Sequence, residues 1–156
     1  MNKEGHIGLS MLFATPVVLL YPGEVYDQGL WIWICFFIGM STWPDLDLEF
    51  EMKHRGYTHT LLASVVFGIV GALIVLHALP EYTLNAFLGG ITGTWSHLVG
   101  DLLTFMGFKP LWPLSNKEIA LKLFRSSDKR INRLFGKMGA LTLAFALVGR
   151  GLKWSP

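Results

Sequence analysis

The stretch TLLASVVFGIVGALIVLHAL, residues 60–79, decides the fold: 20 consecutive residues carry no lysine, arginine, aspartate or glutamate. A helix needs about 20 apolar residues to cross the hydrocarbon layer of a bilayer, so this stretch predicts a membrane span. Two further apolar runs precede it, Ile7–Tyr21 and Gly29–Trp43, and one follows, Leu84–Met106. The first two lie near or below the usual lower limit of about 17 residues and need interfacial residues or local thinning to cross. Pro16 is a candidate kink in the first. Its amino-terminal flank has one lysine balanced by Glu4 and no small-residue cleavage site, so it is read as a retained span.

Composition agrees. Hydrophobic residues make up 52% of the 156, charged residues only 15%, and mean hydropathy is +0.46. Soluble domains carry about a quarter charged residues. The expected fold is all-α, a polytopic integral membrane helix bundle. It forms one domain over residues 1–156, with a transmembrane core 1–108 of four helices, a basic appendage 109–137 and a short apolar segment 138–156. The run Met138–Gly149 has 12 residues and is too short to cross alone. Cys35 is the sole cysteine, which excludes an intrachain disulfide and a Cys-rich zinc ribbon, and is expected to be a buried small hydrophobe.

Lysine and arginine set the orientation. With four spans, one side receives Lys3, Lys53, Arg55 and eight more from Lys109 to Lys137, while the other holds Glu24, Asp27 and Glu81. The positive-inside rule then places both termini and the second interspan loop in the cytoplasm, in a plasma (inner) membrane. Within the appendage, Leu111-Trp112-Pro113 has interfacial chemistry. Ser127 or Asp128 is positioned to cap a helix with Ile131, Leu134, Phe135 and Met138 on one face and Lys129, Arg130, Arg133 and Lys137 on the other. That pattern predicts a basic helix lying on an anionic leaflet. Membrane lipids are the expected partners; nucleic acid is not.

This topology brings seven ionisable residues to the cytoplasmic face: His6, Asp45, Asp47, His54, His59, His97 and Asp101. Ionisable groups at a bilayer are expensive and mark function. Imidazole and carboxylate together form the ligand set of zinc, manganese and iron. His97 and Asp101 are four apart, so they share a helix face, with Gly90, Gly93 and Thr94 on or near it. Asp45 and Asp47 follow Pro44 at a two-residue spacing. In an extended turn both face one way, or one binds metal while the other orients a histidine. His54 and His59 are five apart, with Gly56 marking a turn and Thr58 placed to cap the third span. Arg55 is either a positive-inside anchor or a phosphate ligand. His77 falls at the opposite membrane end and is excluded. There is no H-E-x-x-H and no G-x-S-x-G. Seven ligands exceed the needs of one tetrahedral ion and suit a two-metal site, or one metal with a base and outer partners.

Glu4-Gly5-His6, Pro44–Asp47, His54–His59, Ser96–Asp101 and Leu111-Trp112-Pro113 occur here in the order found in the YdjM-like membrane-bound metal-dependent hydrolases. The chain resembles that family over roughly residues 1–115. The resemblance implies an integral plasma-membrane protein with metal-dependent hydrolase activity. A looser similarity, His-x-x-x-Asp on a helix, links it to zinc-dependent phospholipases C. The expected function is a membrane-bound hydrolase holding one or two divalent ions, zinc first and manganese or iron as alternatives. An ion of this kind lowers the pKa of water and polarises the scissile group. Asp47 is the expected base, Arg55 the phosphate ligand, and an amphiphilic phospholipid or isoprenoid phosphate ester the expected substrate. The rivals are a structural metal site fixing helix packing and, third, a metal-ion transporter. Transport requires ionisable groups near the midplane and beyond it.

Overall fold

The computed structural model describes residues 1–50 and 54–153; Lys53, used above for orientation, lies outside them. The described residues form α1 (Lys3–Leu20), α2 (Gln28–Met40), the single turn α3 (Leu46–Glu49), α4 (Leu61–Val75), α5 (Thr83–Leu102) and α6 (Lys129–Lys153). Short 3-10 turns cover Trp43–Asp45, Tyr57–His59 and Pro80–Tyr82. The all-α class expected from the sequence is what is found. Pro16 lies inside α1, which continues to Leu20.

Side-chain caps start the helices. Asn2 Oδ1 accepts from Gly5 N at 2.8 Å, Asp27 Oδ1 from Leu30 N at 3.1 Å, and Asp128 Oδ1 from Arg130 N at 2.9 Å. Such caps satisfy backbone donors that a helix start leaves unpaired. The cap of α4 is Thr60, whose Oγ1 accepts from Ala63 N at 3.0 Å, not Thr58 as expected. The 3-10 turn Tyr57–His59 delays the helix and leaves Thr58 facing elsewhere.

Helix α4 is inverted relative to a soluble helix. Its buried stripe is Ser64, Gly68, Gly71 and Val75, while Leu62, Val66, Ile69 and Leu73 are exposed. Small residues inside and large apolar residues outside are the pattern of helices packed within lipid. Cys35 also faces outward, contrary to its expected burial. A Cβ at Gly90 would meet the backbone of Gly68 at 2.9 Å, and one at Gly93 would collide with the Phe37 carbonyl. These glycines let α4 and α2 close on α5, as the small residues in the sequence suggest. Among the described residues, Lys129–Leu152 is the one stretch long and apolar enough to cross a membrane by length and composition, and Leu61–Val75 is a shorter apolar helix.

The largest departure from expectation is α6. Basic and apolar segments expected to be separate form one helix of 25 residues. It packs along α1, where a Cβ at Gly8 would collide with Phe135 and Gly136, and one at Gly139 with Gly8. The pair runs parallel: Asn2 N donates to Asn132 Oδ1, Thr15 bonds Thr142, and the Arg150 guanidinium donates to the carbonyls of Val18, Tyr21 and Gly23. Met1 and the end of α6 at Lys153 therefore lie at opposite ends of the bundle. Ala14, Val18, Leu30, Ile34, Phe37, Leu143 and Ala146 form the apolar core between α1, α2 and α6.

Residues 103–128 fold back over the end of α5 that carries Asp101. The bridges Thr104–Phe124 and Phe108–Ile119, with Leu61 N donating to Pro110 O at 2.9 Å, fasten this segment beside the start of α4.

Candidate metal centre

All seven sequence-selected residues meet at one end of the bundle. His6 comes from the first turn of α1, and His97 and Asp101 from the last turns of α5. Asp45 and Asp47 come from the turn after α2, and His54 and His59 from the turn before α4. His6, His59, His97, Asp47 and Asp101 are almost completely buried, and Asp45 is 8% exposed. Two groups have ligand atoms close enough to share an ion: His6, His97 and Asp101, and Asp45, His54 and His59.

Hydrogen bonds fix which nitrogen each ring presents. His97 Nδ1 lies 2.8 Å from the Ser41 carbonyl, which only accepts, so Nδ1 carries the proton. The Thr58 hydroxyl donates to Asp47 Oδ2 at 3.1 Å and can accept from His59 Nδ1 at 2.9 Å. In their neutral forms both rings then present Nε2 as an acceptor, and these two nitrogens are 3.1 Å apart. Two lone pairs facing at that distance repel unless a cation or proton sits with them. Asp45 Oδ1 is 3.6 Å from each Nε2, and Asp101 Oδ2 is 3.3 Å from that of His59 and 3.6 Å from that of His97. Asp101 Oδ2 and both nitrogens of His6 are buried without a hydrogen-bond partner. His6 stacks on His97 with ring centroids 3.7 Å apart, and its Nε2 is 3.4 Å from Asp101 Oδ1. Gly100 makes room for it, since a Cβ there would stand 2.9 Å from His6 Nδ1. Orphaned buried polar atoms are costly, and a nitrogen–oxygen donor set of this kind fits a zinc, manganese or iron ion.

Asp45 and Asp47 diverge. The segment is a helical turn, so the extended alternation that would align them is absent. Asp45 faces the histidines. Asp47 Oδ1 is 3.0 Å from His54 Nδ1, and its Oδ2 accepts from Arg55 N at 3.0 Å and lies 3.4 Å from His59 Nδ1. One carboxylate thus orients two imidazoles.

Arg55 departs from the phosphate-ligand role. It is the left-handed residue of the turn, at φ 58°, where the sequence points to Gly56. Its guanidinium is buried, donating to Asp101 Oδ1 at 2.7 Å, to Thr104 Oγ1 at 3.0 Å and to the Met106 carbonyl. Those bonds leave it as a counter-charge to Asp101. The Met1 amino group donates to the same Asp101 oxygen at 2.6 Å, leaving Oδ2 toward the histidines. Ser41, Thr58 and Thr104 were not singled out for these contacts. Ser41 acts through its backbone and gives no sequence signal, whereas Thr58 stands beside His59 in the motif.

Electrostatics follow from the packing. Burial is the largest influence on Asp45 and raises its pKa, but the hydrogen bond to His59 and the charges of His97 and His6 outweigh it and hold Asp45 below the ordinary carboxylate value. Burial is also the largest influence on His59 and lowers its pKa; hydrogen bonds to Asp101 and Asp45 outweigh it and leave His59 raised. Carboxylates this close favour a positive species among the rings.

A cavity of about 320 Å³ opens beside the cluster, lined by His54, Arg55, Tyr57, Lys109, Trp112 and Glu118. A larger groove, of about 700 Å³, lies at the far end between α1 and α6, next to Arg150 and away from the cluster.

Comparison with known proteins agrees with the family resemblance. The chain is 29% identical over 133 residues to the inner membrane protein YdjM of Escherichia coli (strain K12), and equally to that of Shigella flexneri. Each match covers 72% of this chain and 66% of the relative. No solved structure matches. The model of the YdjM inner membrane protein family matches residues 1–154, so the chain belongs to that family.

Proposed function

We propose that this protein is a membrane-bound, metal-dependent hydrolase of phosphate esters carried by amphiphilic substrates, with its centre at the cytoplasmic face. The observation that carries the reading is the approach of His59 Nε2 and His97 Nε2 to 3.1 Å, with both Nδ1 atoms engaged elsewhere. His6, His97 and Asp101 would hold one divalent ion, zinc first, and Asp45, His54 and His59 a second. Such an ion supplies Lewis acidity and makes water a stronger acid at neutral pH.

The remaining roles belong to the chain. Asp47 holds the Nδ1 sides of His54 and His59 so that the other ring nitrogens point to the ligand. Ser41 does this for His97 through its carbonyl. Arg55 ties Asp101 to Thr104 and Met106, fixing the 103–128 segment against the cluster. Substrate enters through the cavity bounded by His54 and Trp112. There water would attack phosphorus, the ester P–O bond would break, and the proton given up by the water would pass to the departing alkoxide.

In the membrane, α1, α2, α4 and α5 cross with the cluster inside, and α6 adds a fifth crossing parallel to α1. The inner end then carries Lys3, Arg55, Lys109 and the basic start of α6, and the outer end Glu24, Asp27 and Glu81. Arg150 sits at the outer end because it caps carbonyls that α1 leaves open.

The test is a screen of lipid phosphates and phosphodiesters on purified protein of measured metal content. Turnover lost in His97→Ala is the expected result. Stoichiometric metal without any His97-dependent turnover would instead favour a structural metal site.

A further inference from the structure

The cavity beside the cluster carries more chemistry than a phosphate needs. Lys109 and Glu118 both line it, and among the described residues neither side chain has an ion-pair or hydrogen-bond partner. Tyr57 and Trp112 stand together in the same wall, ring centroids 4.5 Å apart and tilted by 59°, with Tyr57 64% exposed. A lone cation suits an anionic group. A carboxylate beside two aromatic faces suits an ammonium. An anionic ester lacking a second charge would leave Glu118 facing it as a like charge.

Directly behind this cavity is an apolar groove of about 300 Å³, lined by Leu61, Trp95, Val99, Leu102 and Pro110. Phe108 lines both spaces, so a single stretch, Phe108–Pro110, separates them. Trp95 and Val99 are exposed on the outward side of α5, and the Trp95 indole donates to Ser64 Oγ at 3.0 Å, which fixes its ring. A polar, doubly charged chamber adjoining an apolar trough matches one molecule with a zwitterionic head and a long chain.

We propose that the cavity is the head-group subsite for a zwitterionic phospholipid. Lys109 faces the phosphate, Glu118 with Tyr57 and Trp112 faces the ammonium, and an acyl chain lies against Trp95 and Val99. The proposal rests on the hydrolase reading for its substrate class and excludes the isoprenoid phosphates, which carry no ammonium.

Binding decides it. The full chain in detergent is titrated with short-chain phosphatidylethanolamine, phosphatidylglycerol and farnesyl monophosphate, and with free phosphoethanolamine as the head alone. Phosphatidylethanolamine should bind about tenfold tighter than the two anionic amphiphiles, the size expected of one charge pair and one aromatic contact to the ammonium. Glu118→Gln should erase that preference, and Lys109→Met should weaken both phospholipids alike. Trp95→Ala should weaken the lipid while leaving phosphoethanolamine unchanged, and Val99→Ala offers the same comparison with less disturbance. Equal binding of all three amphiphiles, or a preference that survives Glu118→Gln, overturns the proposal. The readout is affinity, so it fails on head-group preference, whereas the hydrolase reading fails on His97-dependent turnover.

Discussion

The two candidate ligand groups are built on different supports. His6, His97 and Asp101 stand on long helices, α1 and α5, pressed together through Gly100. Asp45, His54 and His59 stand on short turns, and two of these three are held by Asp47, with Thr58 also on His59. Helical ligands are aimed first by backbone geometry; His97 adds a tie to the Ser41 carbonyl, and Asp101 accepts from Arg55 and the Met1 amino group. Ligands on turns need side-chain hydrogen bonds, so that half of the centre depends on residues outside the ligand set.

Removing a helical ligand should therefore have the largest effect. His97→Ala deletes a buried nitrogen that no neighbour can replace. It should weaken metal binding by more than the roughly 10–100-fold typical of losing an outer partner. His54→Ala should cost less, because the His54 side chain is 28% exposed and its position can be filled by solvent. Elemental analysis of both variants after identical desalting checks the order. Equal metal loss would mean that both groups serve one ion.

Asp47→Asn tests the turn-borne half. An amide in place of the carboxylate cannot accept from both His54 and His59 while accepting from Arg55 N and Thr58. Metal affinity should fall about 10–100-fold, measured by chelator competition. Unchanged affinity with lost turnover would return Asp47 to the role of base.

The same contrast explains what could be read in advance. His97 and Asp101 were legible because a four-residue spacing on a helix has one geometric meaning. The gathering of all seven residues followed from charge asymmetry and span count, which need no knowledge of side-chain direction. The turns were less legible. The two-residue spacing of Asp45 and Asp47 means one thing in a strand and another in a helical turn, and nothing local distinguishes them. Arg55 takes the left-handed position beside a glycine because Asp47 and Asp101 hold its backbone and guanidinium. Helix α6 looks like two segments in sequence because its first turns are basic and its later ones apolar. Its continuity comes from Gly136 and Gly139 meeting α1, a contact more than 120 residues distant in the chain.

Thr58 gives the smallest and sharpest test of the dependence on side chains. Its hydroxyl donates to Asp47 and is the only group besides that carboxylate close to His59 Nδ1 among the described residues. Thr58→Val keeps the shape and removes the hydroxyl, so His59 Nδ1 retains Asp47 at 3.4 Å as its sole partner among the described residues. One hydrogen bond contributes about 1 kcal/mol, or roughly fivefold in affinity. Metal binding should weaken by that modest factor, and Thr58→Ser should restore it, because serine returns the hydroxyl without the methyl. Helix α4 should be unaffected in either variant, since its cap is Thr60. If Thr58→Val instead lowered thermal stability as a lost helix cap does, with metal affinity intact, Thr58 would be a structural residue. The Nδ1 side of His59 would then be oriented by Asp47.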